Sequence, residues 1–184
     1  MNKVYGLKTE FAYFKEDGGR YTIGYGMESV DETHATWHEV YYYKKQHPNM
    51  SYKDVHDGIW GDIDADTDDK ILNGFVWTRP SVGGEPEEIS VYLSKENQTN
   101  FSEAQRMAEK MPEAVLPITF KMGEDEEGAA VYHTFTTVEE LNSFYVQAFA
   151  YINQCLQAGW QRKDAIDWEP YKEIFPEPEP PINE

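Results

Sequence analysis

The chain has 184 residues, enough for one domain of ordinary size or two small ones, and 34 acidic against 16 basic residues give it a formal charge of −18. A field of that sign repels phosphate backbones and anionic lipid headgroups, so composition argues against nucleic-acid and membrane-surface partners. Hydrophobic residues make up 40% of the chain and 27 aromatics stand against six leucines, a mix too apolar for an acidic tail and suited to a strand-rich core.

Cys155 is the single cysteine, which excludes an intrachain disulfide and a thiolate metal cluster. The opening residues Met1 to Gly6 hold no apolar run of signal-peptide length. No stretch approaches the ~20 apolar residues of a membrane span. The expectation is a soluble protein made in a cytoplasm.

In chain order, Val4–Phe14 reads as a strand followed by the turn signal Glu16-Asp17-Gly18-Gly19. Tyr21–Met27 is a second strand, with Gly24 and Gly26 weakening it or marking a bulge. Trp37–Tyr43 is a third, although its length also permits a short helix. Tyr52, Val55, Ile59 and Ile63 then recur at helical spacing behind Ser51 as N-cap, which predicts a short helix. Asp62–Asp69 reads as an acidic loop, Ile71–Trp77 as a strand and Ser81–Glu88 as a linker or exposed hairpin loop.

Ile89–Ser94 is the next strand. A helix capped by Asn100 or Ser102 runs to about Met111, with Ala104, Met107, Ala108 and Met111 on one face. Leu116–Met122 and Ala130–Phe135 are two strands around a hairpin signal at Gly123–Gly128. Thr137 and Glu140 then form a capping box for a long helix whose apolar stripe runs from Val138 to Leu156, with Gly159 as its C-cap. Trp160, Ile166, Trp168 and Tyr171 are expected to wrap over the end of that helix, and the Pro/Glu run from Pro176 to be an extended tail.

Few residue patterns carry chemistry. His34 and His38, four apart, would share a helical face for a metal, but a strand reading holds them too far apart for one ion. Asp62, Asp64, Asp66 and Asp68 alternate as in a calcium loop, yet Thr67 stands where the turn needs glycine and Asn73 where a bidentate glutamate belongs. A solvated acidic turn at 62–69 is the reading, with weak calcium binding as its alternative. His133 and Cys155 would make a thiol–imidazole pair, but Cys155 lies on an apolar stripe, where a thiol is inert. With 34 acids, carboxylate pairs arise by chance and identify no acid and base. No catalytic, cofactor or metal site is read. Trp77, Tyr92, Trp160 and Trp168 are the candidate interface residues, with core filling as the alternative for each.

From residue 68 a series of segments resembles a known domain: Asp69–Trp77, Val91–Phe101, Leu116–Lys121, Tyr132–Phe135, Asn153–Trp160 and Lys163–Trp168. Together, over residues 68–171, they resemble an uncharacterised domain of small proteins encoded by bacteriophages and prophages of gut bacteria. The plan is similar to the C-terminal domain of tail-fibre-associated proteins, in which a strand ending in a Ser-x-Glu-Asn-Gln-like segment leads into a helix and a hairpin. The resemblance implies a virion or tail-assembly context without catalysis, in the particle or the host-cell cytoplasm. Other phage structural proteins would be the partners, and a homo-oligomer is open. Glu96, Asn97 and Gln98 are expected to satisfy backbone groups.

The expected architecture is α+β: a strand-rich module with one short helix over 1–66, an α+β domain over 67–172 with an antiparallel sheet covered on one face by two helices, and a disordered tail over 173–184. The expected function is a structural or assembly protein acting through protein contacts. An acidic inhibitor of a host defence or DNA-binding protein is the alternative.

Overall fold

The computed structural model describes residues 2–79, 87–125 and 127–176, and within them the chain is an α+β protein. It divides into two compact units, one joining the chain up to Asp66 with the chain from Gly159, the other spanning Thr67–Ala158. No helix among the described residues is long and apolar enough to cross a membrane.

In the first unit β1 (Asn2–Leu7), β2 (Lys15–Asp17), β3 (Arg20–Ser29) and β4 (His34–Tyr43) form an antiparallel sheet in the order β1-β4-β3-β2. The expected bulge is present: the β3–β4 register shifts between Tyr25 and Glu28, and Gly26 takes φ +61°. Helix α1 (Tyr52–Asn73) starts where Ser51 Oγ accepts from Asp54 N at 3.3 Å while Asp54 Oδ2 accepts from Ser51 N at 2.9 Å. Val55, Ile59 and Ile63, at i, i+4 and i+8, pack with Ile23 and Tyr25 of β3, each burial worth about 1.5–3 kcal/mol.

The acidic segment 62–69 is helical, not a loop, and Ile71–Asn73 ends α1 instead of opening a strand. The cause is the stripe itself, which continues through the buried Thr67 and Ile71. Two acids of the segment are also held by the first unit. Asp66 Oδ2 accepts from Arg162 Nη1, and Asp64 Oδ1 from Lys163 Nζ, both at 2.6 Å.

In the second unit β5 (Phe75–Arg79) pairs with β6 (Glu87–Val91), and β7 (Ile118–Glu124) with β8 (Ala130–Phe135). The sheet expected over 71–135 is therefore two hairpins, bridged where Tyr92 N donates to Met122 O at 2.8 Å. Helix α2 (Lys95–Lys110) is capped by Ser94, six or more residues before the expected caps, and α3 (Pro112–Val115) is one turn. Phe101, Ala104 and Ala108 are the buried face of α2, whereas Met107 and Met111 are exposed. Helix α4 (Val138–Asp164) buries Leu141, Phe144 and Ala148 among Trp77, Val91, Leu93, Phe101, Met122 and Phe135. It runs through Gly159, which is buried within the helix and caps nothing.

The last segment, with α5 (Glu169–Ile174), belongs to the first unit. Tyr171 Oη donates to Gly24 O at 2.6 Å, and Ile166, Trp168 and Phe175 pack against the core of Ile23, Tyr25 and Val55. These side chains cover the N-terminal sheet, so the expected boundary at 172 gives way to a return of the chain at Gly159. Glu173 and Ile174, assigned to the tail, are helical. Of the expected linker 81–88, residues 81–86 lie outside the described residues, as do Glu126 of the hairpin loop and the tail from 177.

Candidate interaction surface

The segment between β6 and α2 sets the first feature of the second unit. Ser94 Oγ accepts from Asn97 N at 3.1 Å, Asn97 Nδ2 donates to Tyr92 O at 3.0 Å, and Gln98 Nε2 donates to Leu93 O at 2.7 Å. The three polar side chains meet the backbone groups of the turn, in the role expected for Asn97 and Gln98, and let Leu93 be buried. Gln105 of α2 donates to Asn142 Oδ1 of α4 at 3.1 Å. Beyond that bond Tyr145, Phe149 and Ile152 follow at i, i+4 and i+7 along α4.

Between the two helices these residues enclose a groove of about 240 Å³ with Leu93, Gln98 and Phe101. Its wall is mostly apolar. Phe149 is 57% exposed and its ring stacks on Tyr145 at 6.3 Å. A half-exposed aromatic pair beside an apolar recess is suited to burying a side chain of another protein.

The second feature is polar. Glu140 N donates to Thr137 Oγ1 at 3.2 Å, as the expected capping box requires. Its carboxylate does more than a box would: Oε2 accepts from Thr136 N at 3.3 Å, and Oε1 accepts from His133 Nε2 at 3.0 Å. Arg79 Nη1 lies 3.5 Å from the same oxygen and its Nε donates to Glu87 Oε2 at 2.8 Å. His133 is buried with its ring edge-on to Trp77 at 4.9 Å. The cluster ties β5, β8 and α4 together. Cys155 is not part of it; the thiol is half-buried against the core, next to Tyr151, whose hydroxyl is pushed up to about 12 by burial.

The four aromatics named from the sequence do not form one face. Trp77 is 1% exposed, a core residue packed on Phe135 and Phe144, and cannot line an interface. Tyr92 is 43% exposed in the second unit, Trp160 is 56% exposed in the first, and Trp168 is half-buried against Tyr52 and His56. His34 and His38 both lie on β4 and serve different neighbours: His34 contacts Asp31 at 3.2 Å, and the His38 ring lies tilted against Tyr25 with centroids 5.4 Å apart. The calcium reading of 62–69 fails because a helix cannot wrap its carboxylates around one ion as a loop does. Among the described residues no three His, Cys, Asp or Glu are placed to hold a metal.

Tyr145 was legible only as part of the apolar stripe, and Phe149 lay outside it. Their excess over what the core needs was the available signal: α4 carries apolar residues at 144, 145, 146, 148 and 149, more than one buried face can take.

Residues 55–178, more than half of the chain, match the family described as a domain of unknown function, DUF4376, and the chain belongs to that family. The description assigns no activity, partner or location. No curated protein and no solved structure matches the chain.

Proposed function

We propose that this member of the DUF4376 family is a non-enzymatic structural or assembly protein of a bacteriophage, tail- or fibre-associated, acting through protein–protein contact. The observation that carries the reading is the apolar groove between α2 and α4 with the stacked Tyr145 and Phe149 at its edge. The resemblance of residues 68–171 supplies the phage context. The partner is another structural protein of the particle, which places an apolar side chain in the groove. Because the chain carries −18, the partner's flanking surface is neutral or basic.

Co-expression of the tagged chain with the tail and fibre proteins of the same phage tests this. The expected result is co-purification with one of them, lost in Phe149→Glu while the variant stays folded. Recovery of none of them contradicts the reading, and retention by the variant contradicts the groove as the contact. Capture of a host DNA-binding enzyme instead would favour an acidic inhibitor.

A further inference from the structure

The N-terminal sheet has two edges of different character. On one side it ends in β2, whose three residues, Lys15, Glu16 and Asp17, are all charged and exposed. So short and charged a strand is protected against further pairing. On the other side it ends in β1, six residues long, of which only Lys3 is charged. Tyr5 and Leu7 are exposed there, and no strand among the described residues pairs with the outer side of β1.

The hydrogen bonds at the end of β1 fix which of its backbone groups face outward. Leu7 lies opposite His34 in the ladder, yet the two exchange no bonds. Leu7 N donates to Glu10 Oε2 at 2.9 Å, and His34 N to Asp31 Oδ1 at 2.7 Å. They are a non-hydrogen-bonded pair, and the next residue, Lys8, donates to Thr33 O at 2.9 Å, as the alternation requires. By the same alternation Asn2, Val4 and Gly6 bond to β4, while Lys3 and Tyr5 turn N–H and C=O outward. Glu10 already holds the outward N–H of Leu7. The open edge is therefore Lys3 and Tyr5.

We propose that this edge pairs with β1 of a second copy of the chain, antiparallel, about a two-fold axis at Val4. Lys3 N–H meets the C=O of Tyr5 in the other copy, and Lys3 C=O meets its N–H. The axis repeats both bonds, so the open groups satisfy one another with none left over. The register centred on Tyr5 would instead need the Leu7 N–H that Glu10 occupies. Self-pairing also opposes no like charges: Lys3 faces Tyr5, Asn2 faces Gly6 and Val4 faces itself. A chain of −18 thus meets its copy with no carboxylate in the ladder. The Lys3 stem lies along the Tyr5 ring of the other copy, a ring already fixed by stacking on His34 at 5.3 Å. β1 belongs to the first unit, so the proposal depends neither on the groove nor on the phage reading.

Sedimentation equilibrium of the full chain over a concentration series is the test. The expected result is a mass that rises from 21.4 kDa towards twice that value. Lys3→Pro removes only an outward N–H, which an edge strand tolerates. It should weaken dimerisation about tenfold or more with the far-UV circular dichroism unchanged, whereas Lys3→Ala, which keeps the N–H, should still dimerise. Side chains at the axis stand close enough for a disulfide, so Val4→Cys in a Cys155→Ala chain should cross-link two copies on mild oxidation, and Tyr5→Cys should not. This pair decides the matter alone if Lys3→Pro fails to fold. A monomer at every concentration, a dimer indifferent to Lys3→Pro, a dimer dissolved by Phe149→Glu, or cross-linking of Tyr5→Cys in preference to Val4→Cys would each overturn the proposal. A monomer that loses a phage protein only through Lys3→Pro would give the edge to that protein and overturn it equally.

Discussion

Glu140 Oε1 accepts a hydrogen bond from the buried His133 Nε2 at 3.0 Å, so the carboxylate that closes the first turn of α4 also holds β8. Removing it leaves a donor unmet in the core and weakens the cap. Glu140→Ala is predicted to lower stability by about 1–3 kcal/mol. Glu140→Gln, which keeps an acceptor, should lose clearly less. Urea unfolding of the two variants at neutral pH checks this, and equal losses would contradict the His133 contact.

Trp77 and Trp160 separate core from surface. Trp77 touches Phe135, Phe144 and His133 and is 1% exposed. Trp77→Ala is expected to cost about 3–5 kcal/mol. Trp160→Ala, at a site 56% exposed, should stay within about 0.5 kcal/mol. Thermal unfolding of both distinguishes them; similar behaviour would mean that Trp77 is not in the core.

Gly74 stands between α1 and β5 at φ +79°, and a Cβ there would overlap Val91 O. Gly74→Ala meets both a conformational penalty and a backbone clash, with a predicted loss of about 2 kcal/mol or more. Gly61 lies in α1 with nothing near its missing Cβ, so Gly61→Ala should stabilise the chain by about 0.5–1 kcal/mol. Denaturant midpoints of this pair check the two signs.

His38 gives stability a pH dependence whose sign follows from its environment. Its pKa in the folded chain is below 6.5, because of burial first and then Arg162 and Lys3. Between the folded pKa and 6.5 the unfolded chain binds more protons, so stability falls as pH drops through that window. Asp31 and Asp54, both held below 3.8 by hydrogen bonds, act in a separate window: their contribution is lost only as pH falls below 3.8. His38→Gln should flatten the first slope and leave the second. A slope unchanged in the variant would contradict the assignment to His38.

Local patterns carried most of the element order, because caps and periodicity act over a few residues. Ser51, the Thr137–Glu140 pair and the bulge at Gly26 were readable for that reason. What sequence could not show depends on distant partners. The acids at 62–68 look like a loop until Arg162, 96 residues from Asp66, and Lys163, 99 from Asp64, neutralise two of them. Gly159 looked like a cap, although Arg162 and Lys163 were a signal that the helix continued, since cations favour a last turn. Trp77 was ambiguous because burial is set by strand pairing, and the groove was hidden because α2 meets α4 across 37 residues, as from Gln105 to Asn142.

The central claim is that this protein serves a phage particle through protein contact. Peptide mass spectrometry of gradient-purified particles from the phage or induced prophage carrying the gene tests it most directly. The account predicts peptides of this chain at a stoichiometry comparable to tail proteins, or, for an assembly factor, absence from particles with stable binding to a fibre protein in the lysate. Absence from particles together with no phage structural partner in the lysate would contradict it.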